Sequence, residues 1–217
     1  MITAIIPAQR HPGRFELVVD GKSVATLSLE VIERLHLVVG GSVAGVEERI
    51  AREAAQLKVY DRALNMLAFR ARSSAELGRL LVRKGEAKEL VDAALGRLKE
   101  QGLLDDAAFA QSFTRAKVLG AQQSRRRVQQ DLARKGVARQ VTDAAIATVF
   151  EEEQVDQREI VELAARKKLR TLTKVDPTVR RRRLYAFLAR RGYDSEDIRR
   201  AMEAVGEELR GGEETEE

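Results

Sequence analysis

The chain contains no cysteine, which excludes disulfides, thiolate metal sites and thiol nucleophiles together. Its two histidines, His11 and His36, lie in unlike contexts at a spacing that suggests no shared metal. Both are expected to be ordinary surface or partly packed residues. Aromatic residues are only 4% of the chain, so a core must be built of Leu, Val and Ala, and few rings are left over to stack bases. No run approaches the roughly 20 apolar residues that span a bilayer. The opening MITAIIPAQRHPG lacks the basic start, long apolar stretch and small-residue cleavage site of a signal peptide. A cytoplasmic protein without a membrane partner is expected.

Catalytic machinery is missing as well. Gly40-Gly41 and Gly211-Gly212 have neither the lysine nor the strand–turn–helix setting of a phosphate loop. Asp105-Asp106 reads as a helix N-cap with a favourable first-turn charge rather than as a carboxylate pair for acid–base work. Glu151-Glu152-Glu153 reads as a solvated helix end, with contact to a basic surface as the alternative. No nucleophile stands beside a base. The chain is not expected to be an enzyme, and no catalytic, metal or cofactor residue is assigned.

What is present is charge and helical periodicity. Of 217 residues 44% are apolar and 34% charged, a balance that suits a folded, helix-rich protein. The net charge of +5 is unevenly spread: residues 156–202 carry 14 Lys/Arg against 7 Asp/Glu, and residues 203–217 carry 1 against 7. A basic body with an acidic tail implies a polyanionic or acidic partner.

The first 46 residues read as a small β-rich module. Ile2, Ala4 and Ile6 alternate, as do Phe15, Leu17 and Val19 before Asp20-Gly21, a type I′ hairpin pair, with Val24 to Leu27 returning. Ser28 should cap a short helix to about Leu35, and Gly40-Gly41 closes a module expected to pack on the helical part of the chain.

From about Glu47 the periodicity is helical, and it repeats. Leu81-Val82-Arg83-Lys84-Gly85 returns as Leu132-Ala133-Arg134-Lys135-Gly136 and as Leu188-Ala189-Arg190-Arg191-Gly192. Leu77, Val128 and Leu184 stand eight residues before the three glycines. Leu95, Ile146 and Met202 stand ten after, and Leu98, Val149 and Val205 thirteen after. The expected fold is mainly α: three tandem three-helix repeats over 47–100, 101–153 and 154–206, stacked into an elongated, curved body. The hairpin module precedes them, and an acidic, disordered tail is expected over 207–217. Ser73 and Glu76 form a capping box. The later lead helices are expected to point Phe109, Ala110, Phe113 and Ala116, then Ile160, Leu163 and Ala164, inward.

Basic residues fall into two kinds. Arg83-Lys84, Arg134-Lys135 and Arg190-Arg191 sit at helix C-termini, where a cation gains roughly 0.3–1 kcal/mol from the helix dipole, so stability alone can account for them. Arg125-Arg126-Arg127 and Arg180-Arg181-Arg182-Arg183 occupy first turns after the caps Ser124 and Asp176-Pro177, where cations are disfavoured and like charges repel. Two readings stand: a solvated face, or a surface awaiting an anion beside free helix-terminal N–H groups. Lys167, Lys168 and Arg170 would extend the second patch. The anion reading requires that these guanidinium groups have no internal carboxylate partners.

The run Arg70-Ala-Arg72-Ser73-Ser74-Ala-Glu76-Leu77, with Leu81 to Gly85, resembles the signature of the RecX family. So does Gly102-Leu103-Leu104-Asp105-Asp106-Ala-Ala-Phe109-Ala110, and Leu132 to Val137 and Leu184 to Gly192 resemble its later repeats. The likeness covers about residues 48–205. It implies a monomeric helical-repeat protein that lies in the groove of the RecA filament on single-stranded DNA. Such a protein inhibits ATP hydrolysis, strand exchange and filament-dependent repressor cleavage, and so modulates DNA repair, recombination and the SOS response. Contact with single-stranded DNA should be indifferent to sequence, with duplex bound weakly. The alternative is a DNA-binding protein of helix-turn-helix type that acts without RecA.

Overall fold

The computed structural model of the chain describes residues 1–9 and 12–206. The acidic segment 207–217 and His11 lie outside the described residues. The described residues fall into two compact units that divide between Leu104 and Asp105.

The first unit opens with a three-stranded antiparallel sheet in the order β1 (Ile2–Pro7), β2 (Arg14–Val19), β3 (Lys22–Ser28). Asp20 and Gly21 join β2 to β3 with φ of 49° and 78°, the two positive values a type I′ turn demands. The hairpin is therefore one part of a larger sheet, with β1 on its outer side. Alternation along β1 breaks at a register shift between Ile2 and Ala4. Ile5 rather than Ile6 consequently packs on the core, and Ile6 is exposed. Ser28 Oγ accepts the Val31 N–H and starts α1 (Leu29–Arg34), and His36 beyond it is exposed.

The sheet closes over Leu17, Leu27, Val31, Ile32 and Ile50, the last on α2 (Glu47–Phe69). A bidentate pair ties the two layers: Arg14 donates to Asp61 at 2.7 and 3.3 Å, with both side chains largely buried. That bond holds the Arg14 guanidinium above its ordinary pKa.

Three helix triplets follow from the repeated pattern. They are α2, α3 (Ser74–Arg83) and α4 (Lys88–Glu100); α5 (Asp106–Arg115), α6 (Arg125–Arg134) and α7 (Arg139–Glu152); and α8 (Gln157–Leu169), α9 (Pro177–Arg190) and α10 (Ser195–Ala204). In each, the first helix packs against the third. The repeated aliphatic positions are the core: Leu77, Leu81, Leu98, Val128, Leu132, Ile146, Val149, Leu184 and Leu188 are fully buried, as nearly are Met202 and Val205. Gly85, Gly136 and Gly192 end the middle helices with φ of 88°, 78° and 87°, the left-handed turn that a side chain resists. The caps are where the sequence puts them. Ser73 Oγ accepts the Glu76 N–H at 3.1 Å, and Asp105 Oδ1 accepts those of Ala107 and Ala108 at 2.7 and 3.1 Å.

The two later lead helices keep most of their expected inward residues, Phe109, Ala110, Phe113, Ile160 and Ala164, in or against the core, and each turns one expected residue out. After α5 the chain makes a π-helical turn over Ala116–Gly120, whose extra residue shifts the phase. Within that turn Val118 is buried and Ala116 is exposed, while Thr114 is buried on α5 itself, one turn after Ala110. In α8 the inward stripe is Val161, Ala164, Ala165 and Leu169, which leaves Leu163 outside at 52% exposure. Glu152 and Glu153 at the end of α7 do not simply face water. They pair with Arg115, whose guanidinium is raised in pKa chiefly by the Glu153 hydrogen bond.

Candidate nucleic-acid interface

The buried stripe of α9 is Arg180, Leu184 and Leu188, spaced four apart. A run of four arginines covers a full helical turn of 3.6 residues, so one of them must face inward. That one is Arg180, 7% exposed, whose Nη2 donates to the carbonyls of Thr173 and Val175 at 3.3 and 3.0 Å. It organises the α8–α9 connection and leaves the anion-facing surface expected of it. Arg181, Arg182 and Arg183 are exposed.

The start of α6 divides similarly. Arg125 and Arg126 are exposed, and Arg127 is half-buried. Arg127 Nε lies 3.4 Å from Asp131 Oδ2, an ion-pair separation with no hydrogen bond to Nε, and Asp131 also takes Arg134 at 3.2 Å. Arg127 therefore supports its own helix. The guanidinium of Arg125 lies 5.5 Å from the centre of the Phe150 ring, a loose contact that leaves its charge accessible.

The helix-terminal N–H groups are less available than the sequence suggests. At α9 Pro177 has none, Thr178 and Val179 donate to Asp176 Oδ1 at 2.9 and 3.2 Å, and Arg180 donates to the Asp176 carbonyl at 2.7 Å. The Asp176 carboxylate also offsets the positive helix end. Any anion here must be held by guanidinium groups. At α6 Ser124 Oγ accepts the Arg127 N–H at 3.2 Å.

The C-terminal pairs also separate by role. Arg191 lies 4.4 Å above the Phe187 ring with Lys168 at 5.5 Å on the same ring, and burial lowers the Arg191 pKa. Lys135 rests over Phe109 and Phe113 at 5.8 and 5.4 Å, and Lys117 over Phe113 at 5.3 Å. The two rings lie against the second repeat's core, 5.9 Å apart. Arg83, Lys84, Lys167, Arg170 and Arg190 are exposed. Among the described residues no carboxylate lies within 4.0 Å of Arg125, Arg126, Arg181, Arg182, Arg183, Lys167, Arg170 or Arg190. All eight belong to the second unit. The charge of such a surface is complementary to phosphates or acidic side chains.

Tyr185 joins this surface although its residue type and spacing gave no reason to single it out. It is 47% exposed and lines a groove between α9 and α10 together with Arg181, Arg182 and Arg199. Its position directly after the inward Leu184 is the one sequence signal that turns it outward. Among the described residues no cluster of His, Asp or Glu could hold a metal ion, and no helix is long and apolar enough to cross a membrane.

Family models match all three helical triplets: the RecX first three-helix domain over residues 60–98, the second over 105–146 and the third over 156–202. The regulatory protein RecX of Chlorobaculum tepidum is 38% identical over 157 residues, which cover 72% of this chain and 94% of that one. The regulatory protein RecX of Amycolatopsis mediterranei is 38% identical over 137 residues, 63% and 76% of the respective chains. A crystal structure of regulatory protein RecX superposes with a TM-score of 0.70 at 25% identity over 93% of this chain and 98% of that one. RecX from Lactobacillus salivarius shares the fold at a TM-score of 0.56 and 17% identity, over 70% of this chain and 97% of that one.

Proposed function

The chain belongs to the RecX family of regulatory proteins, and from that premise we propose that it binds the groove of the RecA–single-stranded DNA filament. There it inhibits RecA ATP hydrolysis, strand exchange and coprotease activity, and so modulates DNA repair and recombination and the SOS response. It acts in the cytoplasm as a monomer, without catalysis or cofactor of its own.

The observation that carries this reading is the set of exposed arginines, Arg125, Arg126, Arg181, Arg182 and Arg183, with no carboxylate partner among the described residues. First-turn cations and crowded like charges oppose folding slightly. A ligand that supplies negative charge from outside, such as the phosphates of a filament-bound strand or an acidic groove wall, offsets that cost. Lys167, Arg170 and Arg190 extend the same surface, while Lys168 and Arg191 support it through Phe187. Arg83 and Lys84 offer a smaller basic patch in the first unit, and Arg134 and Lys135 one in the second.

The test is titration of the full chain into a RecA–single-strand ATPase assay, alongside DNA binding without RecA. Suppression of ATP hydrolysis at protein concentrations where the RecA-free DNA complex is still sparse supports the reading. Tight, sequence-selective duplex binding with no effect on RecA identifies the helix-turn-helix alternative instead.

A further inference from the structure

The groove between α9 and α10 encloses about 990 Å³ and combines three kinds of surface. Its floor includes Met202, 7% exposed and part of the third repeat's core. One wall is the α9 face bearing Thr178, Arg181, Arg182 and Tyr185, at helical spacings of three, four and seven that set them side by side. The opposite wall carries Arg199 and Glu203, which hold each other at 3.3 Å. Among the described residues the groove's one carboxylate is thus engaged by its own cation, and Arg181 and Arg182 have no carboxylate partner there.

A half-exposed ring one helical turn from two such guanidinium groups is unusual in a chain with so few aromatics. Phe187, Phe109 and Phe113 are packed against core clusters and lie under cations. Tyr185 lines the groove, is 47% exposed and is not among the core residues. An acidic protein surface would use the arginines but give the ring no flat partner. A duplex would present phosphates but keep its bases stacked on one another. A single strand offers both, because its bases are free to stack on an aromatic side chain while its phosphates meet arginine.

We propose that Tyr185 is a stacking platform for one base of a single-stranded nucleic acid, with Arg181 and Arg182 holding the adjoining phosphates. This rests on the nucleic-acid part of the function proposed above and gives it a specific seat. It also reverses the expectation, drawn from the low aromatic content, that stacking plays no part.

The test is fluorescence anisotropy of the full chain with labelled thymidine oligonucleotides and with abasic oligonucleotides of the same length and charge. The unaltered protein binds the base-bearing strand about 10-fold more tightly than the abasic one, the scale of one stacked base. Tyr185→Ala brings the two affinities together by weakening only the base-bearing complex, and Tyr185→Phe keeps the preference. Arg181→Gln with Arg182→Gln weakens both complexes alike. Equal affinities for the unaltered protein, or a preference that survives Tyr185→Ala, overturns the proposal. RecA ATPase inhibition measured on the same samples separates the two ideas. Inhibition without base preference sinks the stacking site alone; base preference lost in Tyr185→Ala, in a protein that leaves RecA untouched, upholds the site and sinks the filament reading.

Discussion

Gly192 and Arg127 come so close that a Cβ on Gly192 would lie 2.6 Å from the Arg127 Cβ and 2.7 Å from Ser124 Oγ. The end of α9 is thereby pressed against the start of α6. Two hydrogen bonds fix the approach: the Ser124 N–H to the Arg191 carbonyl at 3.0 Å, and the Tyr193 hydroxyl to the Gln122 carbonyl at 3.1 Å. The second and third repeats therefore share a junction, and the arginines at the start of α6 are positioned by the third repeat.

Gly192→Ala should be destabilising twice over, through a left-handed φ and through overpacking, for a total of about 2–4 kcal/mol. Gly85→Ala has a nearly identical φ of 88° but open space around it, and should lose only about 1–2 kcal/mol. Urea unfolding of both variants checks the difference. Equal losses would mean that the close approach carries no weight.

Tyr193→Phe removes a buried donor and leaves the Gln122 carbonyl unsatisfied, which should cost about 1–3 kcal/mol. Burial pushes the Tyr193 pKa up because its ionised form is disfavoured inside the junction. The hydroxyl stays protonated, and this bond intact, well above the pH at which an exposed tyrosine ionises. Unfolding free energies of the two proteins should differ by a constant amount from about pH 6 to 9, below the ordinary tyrosine pKa of about 10. Above about pH 10 the advantage of the unaltered protein should shrink, because only its unfolded state ionises; a difference that stays constant there would place the hydroxyl in solvent.

Arg180 and its neighbours should behave oppositely. Arg180→Gln should lose about 1–3 kcal/mol, since the carbonyls of Thr173 and Val175 are deprived of a buried donor, and leave the salt dependence of DNA binding unchanged. Replacing Arg181, Arg182 and Arg183 by Gln should leave stability the same or slightly higher. The slope of log K against log salt on single strands should become shallower by about 0.7 for each phosphate no longer neutralised. An unaltered slope removes those three from the binding surface.

These contrasts show how much the residues alone disclose. The glycine-anchored repeat, the Asp-Gly hairpin and the caps at Ser73, Asp105, Ser124 and Asp176 are local signals, and local backbone chemistry decides them. Which way Ala116 and Leu163 face is not local. A π-helical turn adds a residue after Arg115, and the packing of Ala164 and Ala165 turns Leu163 out. The same limit applies at the site. A run of four arginines announces a charged helix start, but which one turns inward depends on where Leu184 and Leu188 meet the core. Tyr185 was hidden by its ordinary residue type, because only the groove beside α10 gives an exposed ring something to do.

Exposed arginines of the second unit, unneutralised by the described residues, are proposed to receive the negative charge of the RecA–DNA filament. The most direct measurement replaces Arg125, Arg126, Arg181, Arg182 and Arg183 together with glutamine and titrates the variant into the RecA–single-strand ATPase assay. The expected result is a concentration for half-inhibition raised by roughly tenfold or more, about 1.4 kcal/mol of binding, with an unfolding midpoint equal to or above that of the unaltered protein. Inhibition at the original concentration by a fully folded variant would contradict it.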